Sequence, residues 1–107
     1  MDQLTPEDAK IVTLARASRA RNGTAEGAAV RDLDGRTYAA TNVDLPSLTI
    51  GALDLAVAMA VSSGAKGLEA AAVIGQHTID AVRDLAGADV PVLVADEAGT
   101  VTEVLRT

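Results

Sequence analysis

Short apolar runs separated by turn signals set the first reading of this chain, and they suit a mixed α/β protein. Thr5-Pro6-Glu7-Asp8 opens a helix, with Thr as the cap, Pro in the first turn and two acids against the helix dipole. Ile11, Leu14 and Ala15 follow at helical spacing, arginines crowd the far end, and Asn22-Gly23 stops it. Gly27-Ala28-Ala29-Val30-Arg31 and Arg36-Thr37-Tyr38-Ala39-Ala40 flank Asp32-Leu33-Asp34-Gly35, a strong hairpin signal. Residues Asn42 to Ser47 read as a loop whose last residue caps a helix from Leu48 to Ser62, apolar almost all round and ended by Gly64. Ala70 to Ile74 is a continuous apolar run that suits a buried central strand. Thr78 to Leu85 reads as a third helix, with Ile79, Val82 and Leu85 or Ala86 on one face. Pro91 to Ala95 and Thr100 to Val104 are the last two strands, joined by a turn over Asp96 to Gly99. The predicted order is α-β-β-α-β-α-β-β, an α/β fold with helices on the faces of a mixed five-stranded sheet, in one domain over residues 1–107.

Composition changes this picture in one respect. The chain is 49% hydrophobic yet has no Phe, no Trp and a single Tyr, so its core is built mainly from Ala and small aliphatics. Such side chains bury little area each, which makes a lone monomer marginal and self-association the simplest remedy. A net charge of −6 gives no support for a nucleic acid or an anionic membrane as partner. The apolar stretch Leu45 to Ala65 carries Asp54 and several polar residues and does not read as a membrane span. Met1-Asp2-Gln3-Leu4 is too polar for a signal peptide, and a cytoplasmic protein is the expectation. With no cysteine there is no disulfide framework, and with one histidine the means of holding zinc are scarce.

The order of short motifs resembles the small homotetrameric cytidine deaminases. Glu26-Gly27-Ala28-Ala29-Val30 stands where that family has a Val-Gly-Ala-Ala-like strand, and Asp34-Gly35-Arg36-Thr37-Tyr38 resembles its Asp-Gly strand pair. Asn42-Val43-Asp44 is similar to its Asn-x-Glu ribose-binding segment. The helix Ile50 to Gly64, ending Ala60-Val61-Ser62-Ser63-Gly64, resembles its catalytic helix, and Pro91-Val92 and Thr102-Glu103-Val104-Leu105 resemble its last strands. The likeness is collinear over residues 8–105, and it implies a three-layer α/β/α fold.

The chemistry implied by the resemblance is missing from its own positions. In the family a Cys-Ala-Glu or His-Ala-Glu triplet opens the central helix, one residue binding zinc and the Glu shuttling protons. Here Gly51-Ala52-Leu53 takes that place. Glycine cannot ligate and leucine cannot carry a proton. The family's Pro-Cys-x-x-Cys falls near Ile74 to Thr78, where there is no thiol, and the aromatic that would face a pyrimidine becomes Thr24. His77 lies near the lost second half-site, but a zinc site needs about three or four protein ligands. No catalytic residue, metal or cofactor is therefore assigned.

Asn42 and Asp44 are the candidate binding residues, since the resemblance gives their counterparts the sugar hydroxyls. Asn and Asp are also favoured in any turn before a helix. Asp54, the only charge between residues 45 and 65, suits an interface or a solvent strip, and Asp80 and Asp84 with Arg83 between them suit a solvated face. Gly64-Ala65-Lys66-Gly67 follows a helix and is a helix stop, not a phosphate loop. Three functions remain open: a catalytically inactive, self-associating dimer or tetramer, a nucleoside-binding protein using Asn42 and Asp44, and an enzyme of another class using Asp54, Asp80 or His77.

Overall fold

A computed structural model describes residues 4–107. The elements in chain order are α1 (Pro6–Asn22), β1 (Gly27–Asp32), β2 (Thr37–Thr41), β3 (Val43–Leu45), β4 (Leu48–Ile50), α2 (Ala52–Ser62), β5 (Leu68–Ile74), α3 (Asp80–Ala86), β6 (Pro91–Ala95) and β7 (Val101–Arg106). The main sheet has five strands in the order β2-β1-β5-β6-β7. Only β5 and β6 run parallel, and α3 lies in the crossover that a parallel pair requires.

The layers follow from the alternation of side chains along the two central strands. Ala28 and Val30 of β1 and Ala71 and Val73 of β5 point to one face, where they meet Leu53, Ala56, Val57 and Ala60 of α2 and Val82 of α3. Ala29, Ala70, Ala72 and Ile74 point to the other, where Ile11, Val12 and Ala15 of α1 cover them. This is the predicted three-layer arrangement. Small side chains let the helices lie close to the sheet. The closest approach is at Gly27, where any Cβ would collide with the Ala15 carbonyl oxygen and come within 2.8 Å of Arg19 Cβ.

The first helix begins as expected, with Thr5 Oγ1 accepting the Asp8 N–H at 3.1 Å. It ends at Gly23, whose φ of 64° suits glycine and whose N–H reaches the Arg19 carbonyl. The β1–β2 hairpin also forms as predicted. Asp32 organises it, one carboxylate oxygen accepting the N–H groups of Asp34 (2.9 Å) and Arg36 (3.0 Å) and the other the Tyr38 hydroxyl (2.9 Å). Burial opposes the charge on Asp32, but the bonds from Tyr38, Arg36 and Asp34 outweigh it and hold the carboxyl below its ordinary range. The same bond pushes the Tyr38 hydroxyl up. Arg31 ties the layers together, reaching Asp8 of α1 at 3.0 Å and Glu69 of β5 at 2.8 Å.

The predicted helix from Leu48 to Ser62 is corrected at its start. Leu48-Thr49-Ile50 is a strand, paired antiparallel with Val43–Leu45 about a turn at Pro46-Ser47. Ser47 is therefore a hairpin residue and not a helix cap; Gly51 is the N-cap, and it has no side chain to use. The β-branched Thr49 and Ile50 favour the pleated hairpin over the first helical turn. The third helix likewise begins at Asp80 and not at Thr78.

A candidate binding cleft at the start of the central helix

Three backbone segments meet at one end of the sheet. Gly27, the first residue of β1, pairs with Ile74, the last of β5, so the chain entering β1 and the chain leaving β5 lie side by side. Gly75 makes the contact possible. It sits at φ 93°, and a Cβ there would come within 2.7 Å of the Ala25 carbonyl oxygen and 3.1 Å of Glu26 Cγ. The N-terminus of α2 completes the third side. Between them lies an open cleft of about 730 Å³, bordered by Glu26, Gly51, Asp54 and residues Gly75 to Thr78.

Glu26 organises this cleft. Its Oε1 accepts the Ala52 N–H at 2.9 Å, which satisfies one of the free amide groups at the start of α2 and sets a carboxylate against the positive end of the helix dipole. The backbone of Glu26 is itself fixed. Its N–H donates to Asn42 Oδ1 at 3.0 Å, and its carbonyl accepts the Thr24 hydroxyl at 3.0 Å. Because the partner of Asn42 is an N–H, the bonded atom of that side chain is the oxygen, and the Asn42 amide NH₂ remains available as a donor. His77 donates from Nδ1 to the Gly75 carbonyl at 2.9 Å, since a carbonyl can only accept.

The residues singled out in the sequence are placed as follows. Asp54 and His77 border the same cleft. Asp80 is not with them; it pairs with Arg83 at 3.3 Å on the exposed side of α3. Asn42 is half-buried behind Glu26, and Asp44 is exposed on β3 opposite Thr49. Neither Asn42 nor Asp44 borders the cleft. Leu53, in the position of the resemblance's glutamate, is 2% exposed and packs into the core beneath α2, so the cleft is left open. Glu26 is the residue the sequence reading missed. No local pattern in the sequence marks it, because its partner on α2 is 26 residues away.

The donor set does not fit the zinc site that the resemblance implies. Gly51 offers no ligand, and a Cβ there would meet Glu26 Oε1 at 3.4 Å, so the carboxylate stands against the space a ligating side chain would use. Among the described residues no three His, Asp or Glu side chains come together as a metal shell requires.

Comparison with known proteins agrees with this architecture. A family model described as cytidine deaminase-like matches residues 4–99. A cytidine deaminase from Burkholderia pseudomallei superposes with a TM-score of 0.73 at 23% identity, over 97% of this chain and 92% of that one. A cytidine deaminase from Mycobacterium leprae gives a TM-score of 0.72 at 19% identity, over 96% of this chain and 94% of that one. A search of curated proteins gives no match. With its fold, its element order and nearly its whole length accounted for in this way, the chain belongs to the cytidine deaminase-like family.

Proposed function

We propose that this protein is a non-catalytic, self-associating cytidine deaminase-like module that works without zinc. One observation carries the reading: at the start of α2 the backbone amide is capped by the Glu26 carboxylate, Gly51 stands where a ligand is needed, and Leu53 is buried in the core. Activating a water for attack on a pyrimidine ring needs a metal or a base to take its proton and an acid to return one to the ring. Leu53 can do neither. Self-association is supported by the aromatic-poor core and by the C-terminal half of the outer side of α2, where Ala58, Met59 and Val61 are exposed. The test is a spectrophotometric deamination assay on cytidine with zinc added, run beside sedimentation equilibrium. No turnover and a dimer or larger species are expected; zinc-dependent turnover would overturn the reading.

A second reading is favoured by Asn42, whose side-chain oxygen is bonded to Glu26 N–H while its amide NH₂ has no hydrogen-bond partner among the described residues. In this reading a nucleoside binds without being converted, with Asn42 and Asp44 taking the sugar hydroxyls. Calorimetric titration with cytidine and uridine tests it. Binding by the native chain that is weakened in Asn42→Ala supports it; no heat from either nucleoside disposes of it.

A further inference from the structure

A cavity of about 360 Å³ lies at the far end of β1 from the cleft, between the start of α1 and the β1–β2 hairpin. Glu26 borders the cleft and Arg31 borders this cavity, about 16 Å apart along an extended chain. Thr5, Glu7 and Lys10 line it from α1, Arg31 and Thr37 from the hairpin, and Glu69 from β5. Arg31 and Thr37 are opposite each other on adjacent strands, so they share the face that looks toward α1.

Arg31 is held firmly there but is not fully satisfied. Its Nε donates to Glu69 at 2.8 Å and its Nη2 to Asp8 at 3.0 Å, and only 13% of the side chain is exposed. The third nitrogen, Nη1, is buried and has no hydrogen-bond partner among the described residues. A buried donor left in this state costs free energy, and an acceptor brought from outside the chain recovers it. Glu7 and Lys10 have no ion-pair partner among the described residues either. Both are exposed, as is Thr5, and exposed side chains change rotamer readily, so the wall yields to an incoming group.

Charge selects the kind of group. The carboxylates of Glu7, Asp8 and Glu69 outnumber the cations Lys10 and Arg31, so a simple anion gains little here. A simple cation leaves Nη1 without an acceptor. A zwitterion answers both demands.

We propose that this cavity binds a free α-amino acid. Its carboxylate sits on Arg31 Nη1 and Lys10, and its ammonium on Glu7 and on the Glu69 oxygen that Arg31 does not use. The Thr5 hydroxyl accepts the Asp8 N–H and keeps its own proton to donate. Gly35 leaves space for the ligand's side chain, since a Cβ there would meet nothing within 4 Å. The bound molecule joins α1, the hairpin and β5, the same elements that Arg31 joins, so it stabilises the fold as it binds. The site is separate from the cleft and does not depend on self-association.

The test is thermal unfolding of the native chain with each standard amino acid in turn, followed by calorimetric titration of those that act. At least one is expected to raise the melting temperature, by about 10 °C at about a hundredfold excess over its Kd. Acetate and methylamine, which carry one charge each, are expected to leave it unchanged. Lys10→Met and Glu7→Gln replace exposed side chains, so their circular dichroism should match the native chain while each weakens binding about tenfold. No shift from any amino acid would overturn the proposal, and so would an equal shift from acetate or methylamine. Binding that Asp54→Asn abolishes and Lys10→Met leaves intact would put the ligand in the cleft and overturn this site.

Discussion

Replacing Glu26 by alanine removes the only side chain among the described residues that caps the start of α2. Ala52 N–H loses its 2.9 Å partner, and the carboxylate no longer faces the helix dipole. Losing a cap of this kind costs about 1 kcal/mol, and the charge–dipole attraction adds about 0.5 kcal/mol for a half-buried group. Water entering the open cleft can bond part of the freed amide, so the sum of about 1.5 kcal/mol is an upper figure. At about 2 cal/mol/K of unfolding entropy per residue, that loss lowers the melting temperature of a chain this size by about 7 °C. The assay is thermal unfolding followed by circular dichroism at fixed protein concentration, because a dimer's melting temperature depends on concentration. Glu26→Gln keeps an acceptor oxygen without the charge and is expected to lose less than half as much. A Glu26→Ala melting temperature within a degree of the native value would refute the assignment of Glu26 as the cap.

Three further substitutions test the scaffold. Asp32 has a carboxyl held below its ordinary value, so it stabilises the fold above the unfolded pKa near 3.8, and that contribution is lost as pH falls through the lower folded value. Asp32→Asn should therefore flatten the acid limb of a stability–pH profile, and an unchanged limb would contradict the bonding seen in the hairpin. Arg31→Met breaks two bonds that link α1 to β5 through β1 and is expected to cost about 2 kcal/mol in urea unfolding. Gly27→Ala drives a Cβ into the Ala15 carbonyl and should cost about 1–3 kcal/mol by the same measurement; a neutral result would show that α1 can back away from the sheet.

How much was legible in the sequence depended on how local the cause was. The Asp34-Gly35 turn, the cap at Thr5 and the apolar run Ala70 to Ile74 are written within a few residues of one another, and each produced the expected element. The start of α2 was misread because Leu48-Thr49-Ile50 carries two aliphatic side chains and no charge, with only Gly51 between it and Ala52. Hydrophobicity alone does not separate a hairpin arm from a first helical turn. Glu26 was missed for a different reason. Its partner, Ala52 N–H, is 26 residues away in sequence, and no local pattern marks a helix capped from outside. Asn42 was noticed for its turn chemistry and its resemblance to a sugar-binding residue, while its bond goes to the Glu26 N–H, 16 residues back. The sequence indicated which ligands were missing but not whether the cavity was open; the cleft and the carboxylate that faces it come from the structure.

The proposal that this cleft works without zinc is tested most directly by metal stoichiometry. Protein purified from zinc-supplemented culture, gel-filtered and analysed by plasma mass spectrometry is expected to carry far less than one zinc per chain. Titration against a chromogenic zinc chelator should then show no competing site. One tightly held zinc per chain, lost in Glu26→Ala or when His77 is replaced, would contradict the claim that this cleft works without a metal.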